Sequence, residues 1–406
     1  MNCGLLGKYL SHSYSPQIHS YLSSYSYELF EKQPEELADF LHNGDFTGIN
    51  VTIPYKKDVI PYCTELSEYA KKLGAVNTIV RRTDGTLIGH NTDYFGFRSM
   101  VDRTGLSVTE KKVLVLGSGG ASVTAVSVLQ ELGADVVVIS RTGENHYGNL
   151  HLHKDAAVIV NTTPVGMYPN TGVSPIDLDL FPCLEGILDI IYNPAKTQLL
   201  LDAEKRNIPY ENGLWMLVAQ AKEAAEWFLG DKISDDVIAQ IHQKLRKQME
   251  NIILVGMPGC GKSTVGRLVA TQTKKIFVDA DTEIIRAAQM SIPEIFQKEG
   301  EDGFRKWETK VLQELGKQSG LVIATGGGCV TRDENYPLLH QNGKIYWLQR
   351  NLTSLTTDGR PLSQNSKLEQ MWQIRKPMYE KFADFTVSNN ESPEQTAKEI
   401  SRGWNI

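Results

Sequence analysis

The chain has 406 residues, a net charge of −6, 41% hydrophobic residues and 22% charged residues. This length implies two or three domains at roughly 100–200 residues each, and the composition is that of soluble globular protein with no basic footprint for nucleic acid. The five cysteines (Cys3, Cys63, Cys183, Cys260, Cys329) form no CxxC pair and suit reduced cytoplasmic thiols, and neither a signal peptide nor a membrane span is expected.

Strand-like and helix-like runs alternate throughout, which predicts an α/β protein with largely parallel sheets. Early in the chain, "HSYSPQIH" sets Ser13 and Ser15 two apart ahead of Pro16, and "GINVTIPYKK" supplies Asn50, Thr52 and Lys56. "GAVNTI" adds Asn77, and "GHNTDYFGF" adds Asn91, Thr92 and Asp93. Taken singly, such residues read as turns or solvated polar clusters, since Asn and Asp favour turns for local reasons. "VLVLGSGGAS" then places a glycine loop between a strand and a helix; Gly117 and Gly119 fit a dinucleotide fingerprint, but Ser122 stands where its third glycine would be. The next strand, "ADVVVIS", ends in Ser140-Arg141-Thr142. An NAD site would place an acid about there, whereas an arginine favours a 2′-phosphate and hence NADP. The following "GENHYGNLHLHKDAAVIVNTT" has room for one small element, and no Cys or acid completes a metal site around His146, His151 and His153.

In this order, and followed by "NTTPVGM", "DIIYNPAKT" and "GLWMLVAQA", these segments resemble shikimate dehydrogenase over about residues 1–248. The resemblance implies a substrate lobe over 1–93, completed by about 213–248, and a Rossmann-like NADP lobe over 94–212. It implies that Ser13 and Ser15 bind the substrate carboxylate and that Lys56 and Asp93 are the catalytic pair. Thr52, Asn77 and Gln220 would hold ring hydroxyls, with Tyr192 close by. Gly117, Gly119, Gly120 and Ala121 would cradle the pyrophosphate; Ser140, Arg141, Thr142 and Gly213 complete the expected NADP(H) contacts. The chemistry suits the pairing: hydride transfer to a carbonyl leaves oxyanion character that a lysine can protonate or stabilise. Two departures stand out. The stretch after Thr142 is short, and Tyr94 follows Asp93 where the family usually has glycine. The short stretch keeps open a non-catalytic, shikimate-binding or regulatory module; quinate as substrate or NAD as cofactor are further alternatives, the latter opposed by Arg141.

Near residue 230 the text changes. "ISDDVIAQIHQKLRKQMEN" offers a Ser234 cap, apolar residues at helical spacing and basic residues at its end, which predicts a helix and a boundary near Met249. "NIILVGMPGCGKSTVG" follows, and Gly256 to Thr264 satisfy GxxxxGK[ST] in full. Its glycines, Gly256, Gly259 and Gly261, turn backbone N–H groups of the loop, Cys260 included, onto phosphates at a helix N-terminus; Lys262 reaches the β- and γ-phosphates and Ser263 ligates Mg²⁺, with Thr264 beside it. "KKIFVDADTEI" sets Asp279 and Asp281 two apart at a strand end, which predicts that they face one side. "FQKEGEDGFRKWE" carries Arg305 and Glu308, "VIATGGGCV" ends a buried strand in Gly326 to Gly328, "DGRPLS" holds Arg360 and "IRKPMYEKFAD" holds Arg375.

From about 251 to 400 this half resembles shikimate kinase, which implies a P-loop domain over 249–406 with a parallel sheet between helices. The resemblance implies that Asp281, Arg305, Arg375 and Gly327 hold shikimate and that Asp281 takes or orients the proton of the 3-hydroxyl. Ser263 and Asp279 would sit at Mg²⁺, and Arg360 would meet the transferring phosphoryl group. Guanidinium forks suit a small carboxylate acid. The lid text "LTTDGRPLS" is shorter than usual and has Asp358 where basic residues are expected. A nucleotide kinase with a similar core is the alternative for this half. Together the halves imply consecutive reactions on one small acid, reduction of 3-dehydroshikimate with NADPH and phosphorylation of shikimate with MgATP, in a cytoplasmic monomer or homodimer whose partners are small molecules.

Overall fold

The computed structural model describes residues 1–10, 13–355 and 365–404. The chain divides into two compact units, one of residues 1–164, 175–192 and 202–243, the other of residues 165–174, 193–201 and 244–406.

The first unit holds two sheets. In the first are β1 (Asn2–Gly7), β2 (Ser26–Glu31), β3 (Gly48–Val51), β4 (Glu65–Leu66), β5 (Thr78–Arg81) and β6 (Leu87–His90), in the order β2-β1-β3-β5-β6-β4. β1 runs parallel to β2 and β3, while β5 runs antiparallel to β3 and β6. The C-termini of β1, β3 and β6 and the N-terminus of β5 therefore share one edge. Helices α1 (Ser15–Leu22), α2 (Leu37–Asn43) and α3 (Glu68–Leu73) connect these strands. The last is capped by Ser67, whose hydroxyl accepts from Ala70 N, and stopped by Gly74 at φ 58°.

α4 (Asp93–Thr104) leads to a second sheet, all parallel: β7 (Lys112–Leu116), β8 (Asp135–Ile139), β9 (Val158–Asn161), β10 (Gly186–Asp189) and β11 (Tyr210–Asn212), in the order β11-β10-β9-β7-β8. β7, β9 and β10 are almost wholly buried apolar runs, as parallel strands covered on both faces require. α5 (Gly120–Glu131) joins β7 to β8 and α6 (Gln198–Lys205) precedes β11. Between β8 and β9 lies only the 3₁₀ segment Tyr147–His153, so β8 forms the sheet edge. α7 (Leu214–Leu229) packs on α4 where Gly96 admits it: a β-carbon there would lie 2.8 Å from Met216 O.

α8 (Asp236–Met249) leads to the parallel sheet of the second unit, with β12 (Asn251–Val255), β13 (Ile276–Asp279), β14 (Leu321–Ala324), β15 (Gly343–Gln349) and β16 (Phe385–Ser388) in the order β13-β14-β12-β15-β16. Its helices are α9 (Lys262–Thr273), α10 (Ala280–Ala288), α11 (Ile292–Lys317), kinked at Gly300 (φ 69°), α12 (Asn335–His340), α13 (Asn365–Phe382) and α14 (Pro393–Arg402). The core centres on Ile252–Val255, Val322, Ile323 and Trp347. Among the described residues, no helix is long and apolar enough to cross a membrane.

Candidate active sites

The shared edge of the first sheet gathers Lys56, Asn77, Asn91, Thr92 and Asp93. Lys56 Nζ donates to Asp93 Oδ2 at 2.5 Å, and the two side chains are 31% and 19% exposed. Backbone hydrogen bonds tie the Lys56 segment to that of Asn77: Val76 N donates to Lys56 O and Val51 N to Asn77 O, each at 2.7 Å. Asp93 opens α4, where a carboxylate is favoured, and its N–H donates to Asn91 Oδ1 at 3.1 Å. Asn77 is buried; its Oδ1 accepts from Thr92 N at 2.7 Å and its Nδ2 donates to Thr92 Oγ1 at 3.1 Å. Ser15 opens α1 and its N–H donates to Ser13 Oγ at 3.2 Å. The Tyr192 ring meets that of Tyr14 edge-on, with centroids 6.1 Å apart. Gln220 lies on α7 and donates to Leu217 O at 2.9 Å. Thr52 follows β3, half-buried, with its N–H bonded to Leu6 O at 2.9 Å.

A supporting layer was not legible in the sequence. Tyr27 Oη donates to Asn50 Oδ1 at 2.7 Å, and Asn50 Nδ2 donates to Thr78 Oγ1 at 3.1 Å. The His19 ring stacks on Tyr27 at 4.0 Å, and its Nδ1 lies 2.6 Å from Tyr25 Oη. Burial holds the His19 pKa down at about 3, so the ring is neutral near pH 7. The only signal was a histidine four residues beyond Ser15 in a short amphipathic helix.

In the second sheet the chain steps from β7 outward to β8 and returns on β7's other side at β9. Open parallel sheets bind ligands beyond the strand C-termini at such a switch point. Gly117 stands there at φ 105°, and a β-carbon on it would lie 2.9 Å from Thr162 Oγ1. Nothing lies within 4 Å of a β-carbon built on Gly119 or Gly120. The loop before α5, with Ala121 in its first turn, thus leaves the space that a pyrophosphate at a helix N-terminus would fill, and the residues fit a dinucleotide. Ser122 takes the third-glycine position buried at 3% exposure. Ser140 Oγ donates to Thr142 O, while Arg141 and Thr142 are exposed. Beside them His146 Nδ1 accepts from Gly148 N at 3.1 Å, and the His153 ring pairs with Asn145 Oδ1 at 3.1 Å. Gly213 serves packing: a β-carbon there would collide with Ile190 O. Tyr94 is buried and stacks on Tyr69, with ring centroids 3.9 Å apart.

In the second unit the phosphate loop, the Asp279–Asp281 segment and the triple glycine follow the C-termini of β12, β13 and β14, while Arg305 and Arg375 come from α11 and α13. The Gly256–Thr264 loop follows β12, with Gly256, Gly259 and Gly261 at φ 145°, 80° and 98°. These values favour glycine and turn the loop tightly. Lys262 is 8% exposed and its Nζ donates to Gly256 O and Met257 O at 2.9 and 3.1 Å. Ser263 Oγ donates to Asp279 Oδ2 at 2.6 Å. A hydroxyl and a carboxylate so placed beside a phosphate loop fit Mg²⁺, which takes few protein ligands and keeps waters. The two aspartates are not both on a strand, as the spacing suggested. Asp279 ends β13 and caps α10, accepting from Asp281 N at 3.1 Å, and Asp281 sits in the first turn of that helix.

The three glycines after β14 are hemmed in on three sides. A β-carbon on Gly326 would lie 2.6 Å from Glu308 Oε1 and 3.1 Å from Asp281 Oδ1; one on Gly327 would lie 2.6 Å from Pro258 Cδ, and one on Gly328 would collide with Arg305 Nη2. Only a bare backbone fits among the acceptor residues and the phosphate loop. Gly327 O accepts from Arg375 Nη1 at 3.1 Å and from Tyr379 Oη at 2.5 Å. Arg305 is buried; its Nη1 donates to Glu308 Oε2 at 2.7 Å and its Nη2 to Glu301 Oε1 at 3.1 Å. Burial pushes the Glu308 carboxyl up, and the Arg305 charge pulls it back in part. Asp281, Arg305, Gly327 and Arg375 are thus assembled around one turn. Tyr379 and Asn389, whose Nδ2 donates to Cys260 O at 2.6 Å, were missed from the sequence, since each reads as an ordinary core or turn residue. Arg360 and Asp358 lie outside the described residues.

Known proteins match both halves. Residues 258–403 match the family model of shikimate kinase, and residues 5–79 that of the shikimate dehydrogenase substrate binding domain. The shikimate dehydrogenase (NADP(+)) of Caldicellulosiruptor saccharolyticus is 36% identical over 277 residues, covering 60% of this chain and 98% of that protein. A chorismate mutase/shikimate 5-dehydrogenase fusion from Clostridium acetobutylicum has a similar structure, with TM-score 0.58 and 35% identity over 61% of this chain and 97% of that one. So does shikimate 5-dehydrogenase from Thermus thermophilus, solved with NADP(H) and shikimate, with TM-score 0.55 and 28% identity over 60% of this chain and 99% of that one. The chain belongs to the shikimate dehydrogenase family over about its first 60% and continues into a domain of the shikimate kinase family, an oxidoreductase joined to a phosphotransferase.

Proposed function

We propose that the chain reduces 3-dehydroshikimate to shikimate with NADPH and phosphorylates shikimate at its 3-hydroxyl with MgATP. The observation that carries this reading is the Lys56–Asp93 pair, held at 2.5 Å on the sheet edge where Asn77 bonds Thr92, the residue before Asp93. The same chain assembles the acceptor residues around Gly326–Gly328. The domain limits proposed are 1–93 with about 213–248 for the substrate lobe, 94–212 for the NADP lobe and 249–406 for the kinase.

In the dehydrogenase, NADPH supplies the hydride when bound. Ser13 and Ser15 hold the substrate carboxylate, and Thr52, Asn77 and Gln220 orient the ring beside Tyr192. Lys56 donates a proton to the carbonyl oxygen as charge develops there, and Asp93 holds Lys56 in place and accepts from the nascent hydroxyl. In the kinase, Arg305 and Arg375 grip the shikimate carboxylate and Asp281 orients the attacking hydroxyl. Lys262 and Arg360 act on the phosphates, and Ser263 and Asp279 hold the Mg²⁺ that offsets their charge.

A second reading draws on the short connection after β8: a kinase with a non-catalytic shikimate-binding module. Following NADPH absorbance with 3-dehydroshikimate, without ATP, separates the two. We expect oxidation that Lys56→Ala lowers by at least about 100-fold. No oxidation with NADPH or NADH would leave only the module.

A further inference from the structure

We propose that Arg350 binds the nucleoside end of ATP in the kinase site, supplying a cation that the lid sequence lacks. The inference rests on the kinase reading only in requiring that the Gly256–Thr264 loop hold a nucleotide.

The sheet order fixes the direction in which a nucleotide must lie. β13 and β14, which lead into Asp279, Asp281 and the triple-glycine turn, lie on one side of β12; β15 and β16 lie on the other. The γ-phosphate must face the acceptor, so it points to the β13–β14 flank. The α-phosphate and base then extend over the loop toward β15 and β16. Arg350 is the first residue after β15. The loop is pressed against that strand's end, since a β-carbon on Gly256 would lie 2.6 Å from Leu348 O. A β-carbon on Gly261, the residue before Lys262, would lie 2.6 Å from Asn389 Nδ2 and 3.9 Å from Arg350 Nη1. The Arg350 head group therefore stands beside the last glycine of the loop, at the N-terminus of α9.

Among the described residues Arg350 has no counter-charge. It is half-buried, its Nε is buried without a hydrogen-bond partner, and it joins no ion pair among the described residues. An arginine head group kept at the positive N-terminal end of a helix is unfavourable unless an anion or a π-face meets it. A nucleoside phosphate presents both. The lid offers no substitute, because residues 351–359 contain no lysine or arginine.

The test uses the full chain with Arg350→Ala, Arg350→Gln and Arg350→Lys. A contact to the nucleoside end is made equally in the ground and transition states, so it changes KM and leaves kcat alone. We expect Arg350→Ala and Arg350→Gln to raise the KM for ATP about tenfold, with kcat and the KM for shikimate within twofold of the parent. The Kd for ADP, titrated without shikimate, should rise by the same factor, and Arg350→Lys should recover part of it. Arg350→Gln keeps the packed stem and guards against a folding defect in the alanine variant. Unchanged ATP KM and ADP Kd in the glutamine variant overturn the inference, as does a fall in kcat with ATP KM unmoved. The ADP titration also separates it from the acceptor assignment. If shikimate is not phosphorylated but ADP binding weakens, the kinase reading fails alone; if shikimate is phosphorylated and ADP binding is unmoved, Arg350 fails alone.

Discussion

Glu308 is fully buried, yet its carboxylate meets the Arg305 guanidinium at 2.7 Å and approaches the space beside Gly326. Its work is to aim a cation that would otherwise be buried and misdirected. Removing one partner of such a pair is costly because the other stays behind. Glu308→Ala should therefore destabilise the kinase by about 3 kcal/mol. It should also raise the KM for shikimate more than that for ATP, which unfolding curves and steady-state kinetics would check. Equal changes in both KM values would show that Glu308 does not act through the acceptor site. At this scale the sequence was partly readable. Arg305 and Glu308 stand three apart on a helix, so their pairing follows from helical geometry. The Tyr27–Asn50 bond and the His19 stack join residues on separate elements, and no local spacing announces them.

Elements were easier to anticipate than their neighbours. Glycine loops between strand and helix, the cap near Ser234 and the continuous apolar strands all leave local marks. α8 begins at Asp236, with Ser234 Oγ accepting from Asp236 N at 3.4 Å. What the text could not reveal is which backbone another element must approach. Gly213 reads as part of a motif, but the structure shows it where α7 begins against Ile190 O, with no room for a β-carbon. Backbone on both sides cannot swing away as a side-chain tip can. Gly213→Ala should cost about 2–3 kcal/mol, the upper range of overpacking, and lower the dehydrogenase unfolding midpoint. An unchanged midpoint would mean that β10 and α7 can part without loss. The Asp279–Asp281 pair carries a similar lesson: a spacing of two fits a strand, but the chain had already turned into α10.

Over the whole molecule, the charges that respond to acid concentrate in the first unit. Burial holds His19 at about 3 and His90, stacked on Trp227, at about 4. Both lie below the ordinary value near 6.5. Unfolded chains take up these protons first, so stability declines as pH falls from about 6.5 toward those folded values. Glu226 adds a second window. Burial pushes its carboxyl up, but hydrogen bonds from Lys222, Lys232 and Ile233 N more than reverse this and leave it at about 2. A depressed carboxyl stabilises above the ordinary value near 4.3 and loses that contribution as pH falls through its folded value. The urea midpoint of dehydrogenase activity should thus fall below about pH 6.5, and more steeply below about 4.3, while the kinase midpoint moves less. His19→Phe should flatten the upper part of that curve; a dehydrogenase midpoint flat from pH 7 to 5 would contradict the assignment. The α/β class and the two nucleotide loops were legible at this scale because each loop is a local signature. The strand orders were not, since they depend on pairings between distant segments.

The edge position of β8 has a consequence that deuterium would record. In a parallel strand successive amides point to opposite neighbours, and along β8 only the β7 side is occupied. Every other amide from Val136 to Ile139 should trade its proton quickly, while those of Val113 to Leu116, flanked by β8 and β9, wait for larger openings. Uniformly slow exchange along β8 would reveal that something in solution lies against that edge.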